Sequence, residues 1–85
     1  MIINMKYIRI KELREETEMN QTQFAKLFGM SQTGYSKYET GENDIPTVML
    51  MKLADYYNTS VDYLLGRTDI RKPYPPSSLD TTEDV

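Results

Sequence analysis

The chain has 85 residues, ten of them Lys or Arg and thirteen Asp or Glu, giving a net charge of −3 and a sequence pI of about 4.8. That length supports one domain with a modest core and leaves no room for a separate ligand-sensing domain. With no cysteine and no histidine, disulfides, thiolate metal sites and imidazole catalysis are excluded, and no apolar run approaches the ~20 residues of a membrane span.

The opening MIINMKYIRI is too short, and too quickly followed by charge, to read as a signal peptide. A first helix is expected from Lys6 to Glu18, with Ile10, Leu13 and Thr17 on its inward stripe and the pairs Lys11/Glu15 and Glu12/Glu16 facing solvent. Arg14 falls beside the inward stripe, where a charge needs a partner. Next comes NQTQFAKLFGMSQTGYSKYE, from Asn20 to Glu39. Asn20 is an N-cap with Gln23 three residues on, the spacing of a capping box. Phe24, Ala25, Leu27 and Phe28 then form an apolar stripe at helical spacing. Gly29 stands where the helix must end, because it takes the left-handed conformation of a C′ position without a Cβ penalty. Only Met30 separates it from Ser31, a second N-cap. So short a connection forces the two helices to cross steeply, with the small Ala25 at the crossing. On the second helix, Tyr35 and Tyr38 face inward against Phe24 and Phe28, whereas Gln32, Thr33, Ser36 and Lys37 face outward. Gly34 breaks that pattern, since a mid-helix glycine costs ~1 kcal/mol relative to alanine; close approach of the backbone to a binding partner and a merely weaker helix are both open.

A turn from Thr40 to Pro46 carries Gly41, Asn43 and Asp44. A fourth helix is expected from Thr47, burying Leu50, Leu53, Ala54 and Tyr57 and ending at a left-handed Asn58. Val48 and Met51 fall on its wet face, either as scattered surface hydrophobes or as a self-association patch. Ser60 caps a short fifth helix with Val61, Leu64 and Leu65 inward and Gly66 closing it. The domain is placed at 1–66. Residues 67–85 hold three of the four prolines with several Ser and Thr, and read as a flexible tail too polar to offset its chain entropy, with Tyr74 as a docking point. There are no internal repeats. The fold class is all-α.

The residues Gln21, Ala25, Gly29, Tyr35, Tyr38, Glu39 and Gly41 are joined by the runs RIKELRE, NQTQFA, GMSQTGYSKYE and LADYYNTSVDYLLG. Together they resemble the helix-turn-helix of the Cro/phage-repressor (XRE-like) regulators, from about Lys6 to Gly66. The resemblance implies a compact five-helix bundle like the lambda repressor DNA-binding domain, binding operator DNA, usually as a dimer. It also implies an Arg14–Glu39 ion pair tying the first helix to the recognition helix. In this family the loop Thr40 to Ile45 usually carries basic residues facing phosphates; here Glu42 and Asp44 stand there, leaving Thr40 and Asn43 as neutral donors.

The outward residues suit this reading. Gln21 can bond a phosphate and brace Gln32, and with Thr22 it sits at a helix start whose free amides suit a phosphate. Gln32 can contact adenine N6 and N7, Thr33 can offer its methyl to thymine, and Lys37 can reach guanine or a phosphate. Ser36 is a further candidate for base contact. For each, the plainer alternative is an exposed polar side chain; for Tyr35 and Tyr38 a core role is expected. The acidic balance opposes DNA binding, but Glu12, Glu15, Glu16 and Glu18 are segregated on the first helix. Weak non-specific binding with a steep salt dependence is therefore expected.

The expected function is a sequence-specific DNA-binding transcriptional regulator, a cytoplasmic repressor acting as a homodimer. The rival is a protein-interaction module such as an antitoxin, whose tail or Val48/Met51 patch engages a toxin or the transcription machinery. No cofactor, metal or small-molecule ligand is expected. The acidic side chains lack a nucleophile, a metal ligand set or a glycine-rich phosphate loop beside them, so no enzymatic activity is expected.

Overall fold

Capping chemistry divides the chain into its helices. In the computed structural model, which describes residues 6–79, these are α1 (Ile8–Glu16), α2 (Gln21–Leu27), α3 (Gln32–Thr40), α4 (Thr47–Tyr57) and α5 (Val61–Leu64). No strand occurs among the described residues. The Asn20 side chain accepts from the Gln23 amide at 2.8 Å while Gln23 Oε1 accepts from the Asn20 amide at 3.0 Å, the complete capping box. Ser31 Oγ accepts from Gly34 N and Ser60 Oγ from Tyr63 N, starting α3 and α5. Gly29 at φ 70°, Gly41 at φ 83° and Asn58 at φ 56° take the left-handed conformation at the ends of α2, α3 and α4.

α1 is shorter than its sequence pattern. It starts at Ile8 instead of Lys6, because Tyr7 is pulled inside: its ring is 4% exposed and its hydroxyl accepts from the Ile45 amide at 3.0 Å. It ends at Glu16, and Glu18 at φ 63° turns the chain toward α2.

α2 packs on α3, α4 on α5, and α1 touches both α3 and α5. Ile10, Leu13, Phe24, Ala25, Tyr35, Leu53, Ala54 and Leu64 form the common core, with Tyr7 and Ile45. Phe24 is its centre. Its ring lies 5.0 Å from Phe28, 5.3 Å from Tyr35, 5.7 Å from Tyr56 and 5.9 Å from Tyr57, the last stacked at 12°. Burying such a ring contributes roughly 1.5–3 kcal/mol, and aromatic neighbours add to that. Tyr35 is fully buried as its spacing predicts, and Tyr38 is half-buried against the same core. Leu50, Tyr57 and Thr17, expected inside, are only partly covered.

The last helix ends near Gly66, but packing continues. Arg9 Nη1 donates to the carbonyls of Tyr63 and Thr68, and its Nη2 meets Asp69 at 2.6 Å. The Arg9 guanidinium also stands over the Tyr63 ring, 4.2 Å from the centroid. Thr59 Oγ1 donates to the Arg71 carbonyl, Arg71 pairs with Glu16 at 2.9 Å, and the Tyr74 hydroxyl donates to Asp62 at 2.9 Å. Residues 67–74 thus form a strap bonded to α1 and α5. The expected docking of Tyr74 is present, while a tail loose from residue 67 onward is not what this segment shows. Backbone and side-chain partners on the domain replace the apolar burial that its composition lacks. The rest of the expected tail beyond Leu79, and the first five residues of the MIINMKYIRI segment, lie outside the described residues.

Candidate nucleic-acid interface

The short connection Gly29–Ser31 fixes α3 across α2. Gln32, Thr33 and Lys37 are exposed on α3, and Thr22 is exposed at the start of α2. Ser36, expected outward with them, is half-buried, because it lies nearer the flank of the helix that faces the domain.

A chain of hydrogen bonds runs from α1 to this exposed face. Glu39 Oε2 accepts from Arg14 Nε at 2.6 Å and Glu39 Oε1 from Arg14 Nη2 at 3.1 Å. Arg14 Nη1 meanwhile donates to the Met19 carbonyl at 2.7 Å. The two charged side chains are 10% and 3% exposed, so this is a buried, bidentate ion pair. Gln21 Nε2 donates to the same Glu39 Oε1 at 2.9 Å, and Gln32 Nε2 donates to Gln21 Oε1 at 2.7 Å. Residues on α1, α2 and α3 are therefore joined in one line, Arg14–Glu39–Gln21–Gln32. The helix-turn-helix reading of the sequence anticipates the brace between Gln21 and Gln32. It gives no signal for the bond from Gln21 to Glu39, which depends on how α2 and α3 cross.

Burial works against the Glu39 charge, but hydrogen bonds led by Arg14 outweigh it and hold the carboxyl below its ordinary range. The hydrogen bond to Glu39 in turn raises the Arg14 guanidinium. The Tyr35 hydroxyl is buried against this carboxylate without well-formed hydrogen-bond geometry. Burial first, and then Glu39, push its phenol far above the ordinary value.

Gly34 is the third residue of α3, so it belongs to the first turn and not to mid-helix as its place in the run suggests. A Cβ there would come 3.1 Å from the Ser31 Oγ that caps the helix. Crowding against the cap is thus a third account of this glycine, beside the two that spacing offers.

In the loop after α3 the acidic residues are engaged within the protein. Asp44 pairs with Lys6, and Glu42 lies 3.2 Å from Thr40 Oγ1. The Thr40 hydroxyl also reaches the Lys37 carbonyl and accepts from the Glu42 amide. As a neutral donor toward phosphate Thr40 is therefore compromised, since its one proton has two acceptors within the domain. Asn43 is exposed, and its backbone N–H donates to the Lys37 carbonyl at 3.1 Å, fixing the loop to the end of α3. On α4, Val48 and Met51 are 65% and 54% exposed, as their register predicts. Sequence reasoning missed Tyr7 and Arg9. Their partners are 38 and at least 54 residues away along the chain, beyond any local pattern.

Among the described residues there is no cluster of three or more His, Cys, Asp or Glu able to hold a metal, and no helix is long and apolar enough to cross a membrane.

The Helix-turn-helix family profile matches residues 10–64, from within α1 to the end of α5. The HTH-type transcriptional regulator ImmR of Bacillus subtilis is 34% identical over 74 residues, 87% of this chain and 58% of ImmR. The cryptic phage CTXphi transcriptional repressor RstR of Vibrio cholerae is 42% identical over 60 residues, 69% of this chain and 53% of RstR. The antitoxin PezA of Streptococcus pneumoniae is 28% identical over 64 residues, 75% of this chain and 40% of PezA. The chain thus spans about half the length of these relatives. No solved structure matches it. The matched helices, the capped crossing of α2 and α3 and the Arg14–Glu39 pair place this chain in the Cro/phage-repressor (XRE-like) helix-turn-helix family.

Proposed function

We propose that this chain is a sequence-specific DNA-binding transcriptional regulator, a repressor that binds a two-fold operator as a homodimer. The observation that carries this reading is the exposed row Gln32, Thr33 and Lys37 on α3, with Gln32 held in place by Gln21. A helix so mounted fits the major groove, and two of them on a dimer would meet half-sites about 34–36 Å apart. Gln32 makes the bidentate contact to adenine, Thr33 and Ser36 line the same groove, and Lys37 takes guanine or a phosphate. Gln21, Thr22 and Asn43 face the phosphates, with Thr40 a weaker contributor. The likeness to a phage repressor and a transcriptional regulator supports the reading. The activity is binding without catalysis, in the cytoplasm.

Selection of the purified protein against random duplexes tests this. Wild type is expected to enrich one two-fold site. Gln32→Ala is expected to lose about 1–3 kcal/mol of discrimination at a single base pair in each half-site. Lys37→Ala is expected to lower the salt slope by about one if it meets phosphate, or to change a base preference if it meets guanine. Unchanged binding by both variants rejects the assignment.

The second reading is a protein-interaction module, favoured by the exposed Val48 and Met51 and by the likeness to an antitoxin. Its mark is a stoichiometric protein partner, such as a toxin or a transcription component, on co-purification, together with no enriched duplex.

A further inference from the structure

We propose that Glu39 is a positioning residue that sets the donor–acceptor polarity of Gln32 through Gln21, so that α3 reads adenine in preference to guanine. The inference rests on the DNA-binding reading above and deepens it.

The argument is one of hydrogen-bond inventory. An ionised carboxylate only accepts, whereas a glutamine amide has one accepting end and one donating end of nearly equal size. Glu39 is locked by two bonds from Arg14, with its side chain only 3% exposed. The amide of Gln21 must therefore turn its nitrogen to Glu39, and it does so at 2.9 Å. Its oxygen is then left facing Gln32, which must answer with an N–H, at 2.7 Å. Each link dictates the next.

At the end of the line, one N–H of Gln32 is committed to Gln21, and its oxygen and second N–H remain for the groove. That pair matches adenine, which offers the N6 donor beside the N7 acceptor. Guanine offers two acceptors, O6 and N7. Both can be met only by two N–H groups, and meeting them here would break the bond to Gln21 or set oxygen against oxygen. A Gln32 free of the relay could turn over and serve either base.

The test uses the full chain as wild type, Glu39→Gln, Gln21→Met and Gln32→Ala. The base pair read by Gln32 is the one at which Gln32→Ala loses its preference. Competition titrations then compare adenine with guanine there. Glu39→Gln and Gln21→Met are each expected to lower that preference by about tenfold while leaving preferences at other positions intact. A merely structural role would weaken all duplexes alike. Gln21→Met leaves the Arg14–Glu39 pair in place, so the test survives if Glu39→Gln folds poorly. In the protein without DNA, the Gln32 side-chain amide resonances are expected to shift on Gln21→Met and on Glu39→Gln. A wild-type preference retained by Gln21→Met, beside its loss in Gln32→Ala, overturns the relay and leaves the regulator reading standing. Failure of wild type to enrich any duplex overturns the regulator reading and the base preference with it. Unmoved Gln32 resonances overturn the relay whatever the DNA result.

Discussion

Two arginines on α1, five residues apart, hold different parts of the molecule by different physics. Arg14 is buried and pairs with a buried carboxylate on α3, so its interaction is strong, dry and connected to the candidate DNA face. Arg9 lies at the edge, stacked on the Tyr63 ring and bonded to the carbonyls of Tyr63 and Thr68 and to the fully solvated Asp69. One arginine fixes geometry inside the domain, and the other secures the strap. The contrast teaches that the same side chain is indispensable where its partner's charge has no access to water, and adjustable where water can replace it.

Removing Arg14 should have the largest effect. Arg14→Ala leaves the Glu39 carboxylate buried and unpaired, and should cost about 3–5 kcal/mol in urea unfolding. The double variant Arg14→Met, Glu39→Leu should recover most of that loss, because two apolar side chains replace two buried charges. If both variants unfold like wild type, the contrast with Arg9 breaks.

Acid should expose the same pair. Glu39 has a folded-state pKa below its ordinary 4.5. The stability it contributes is present in full above that ordinary value. It declines as pH falls below 4.5 through the depressed folded value, because the unfolded chain takes up the proton first. Urea titrations between neutral pH and acid should show this slope in wild type and a shallower one in Glu39→Gln.

Arg9→Ala should cost less, about 1–2 kcal/mol, through its cation–π and carbonyl contacts. Its clearer mark should be faster proteolysis after Arg71 or Lys72, with DNA affinity unchanged. Arg71→Ala, which removes an exposed pair with Glu16, should change stability by no more than ~0.5 kcal/mol. A larger loss from Arg71→Ala than from Arg9→Ala would place the strap's anchor at the wrong arginine.

Much of the recognition unit was legible because its signals are local. Asn20 with Gln23, Gly29, Ser31 and the inward Tyr35 each act within a turn or two of helix, and the structure shows each as its spacing predicts. The Arg14–Glu39 pair was legible for another reason: it came with the family resemblance, and no spacing within α1 reveals it. The start of α1 departs from its pattern because Tyr7 leaves the helix to hold Ile45, a partner 38 residues away, and its end because Glu18 at φ 63° turns the chain. The strap was underestimated because its composition is that of a chain with little apolar surface to bury. Composition does not register carbonyls and carboxylates that are already waiting on α1 and α5.

The sequence by itself determined five helices, the side-chain caps that start α2, α3 and α5, the crossing of α2 and α3, and which side chains of α3 could face outward, since periodicity and caps act over a few residues. Only the tertiary structure decided that Gln21 bonds Glu39 and that residues 67–74 return to α1 and α5. Those contacts join groups far apart along the chain. Their geometry follows from how helices pack, which no local pattern encodes.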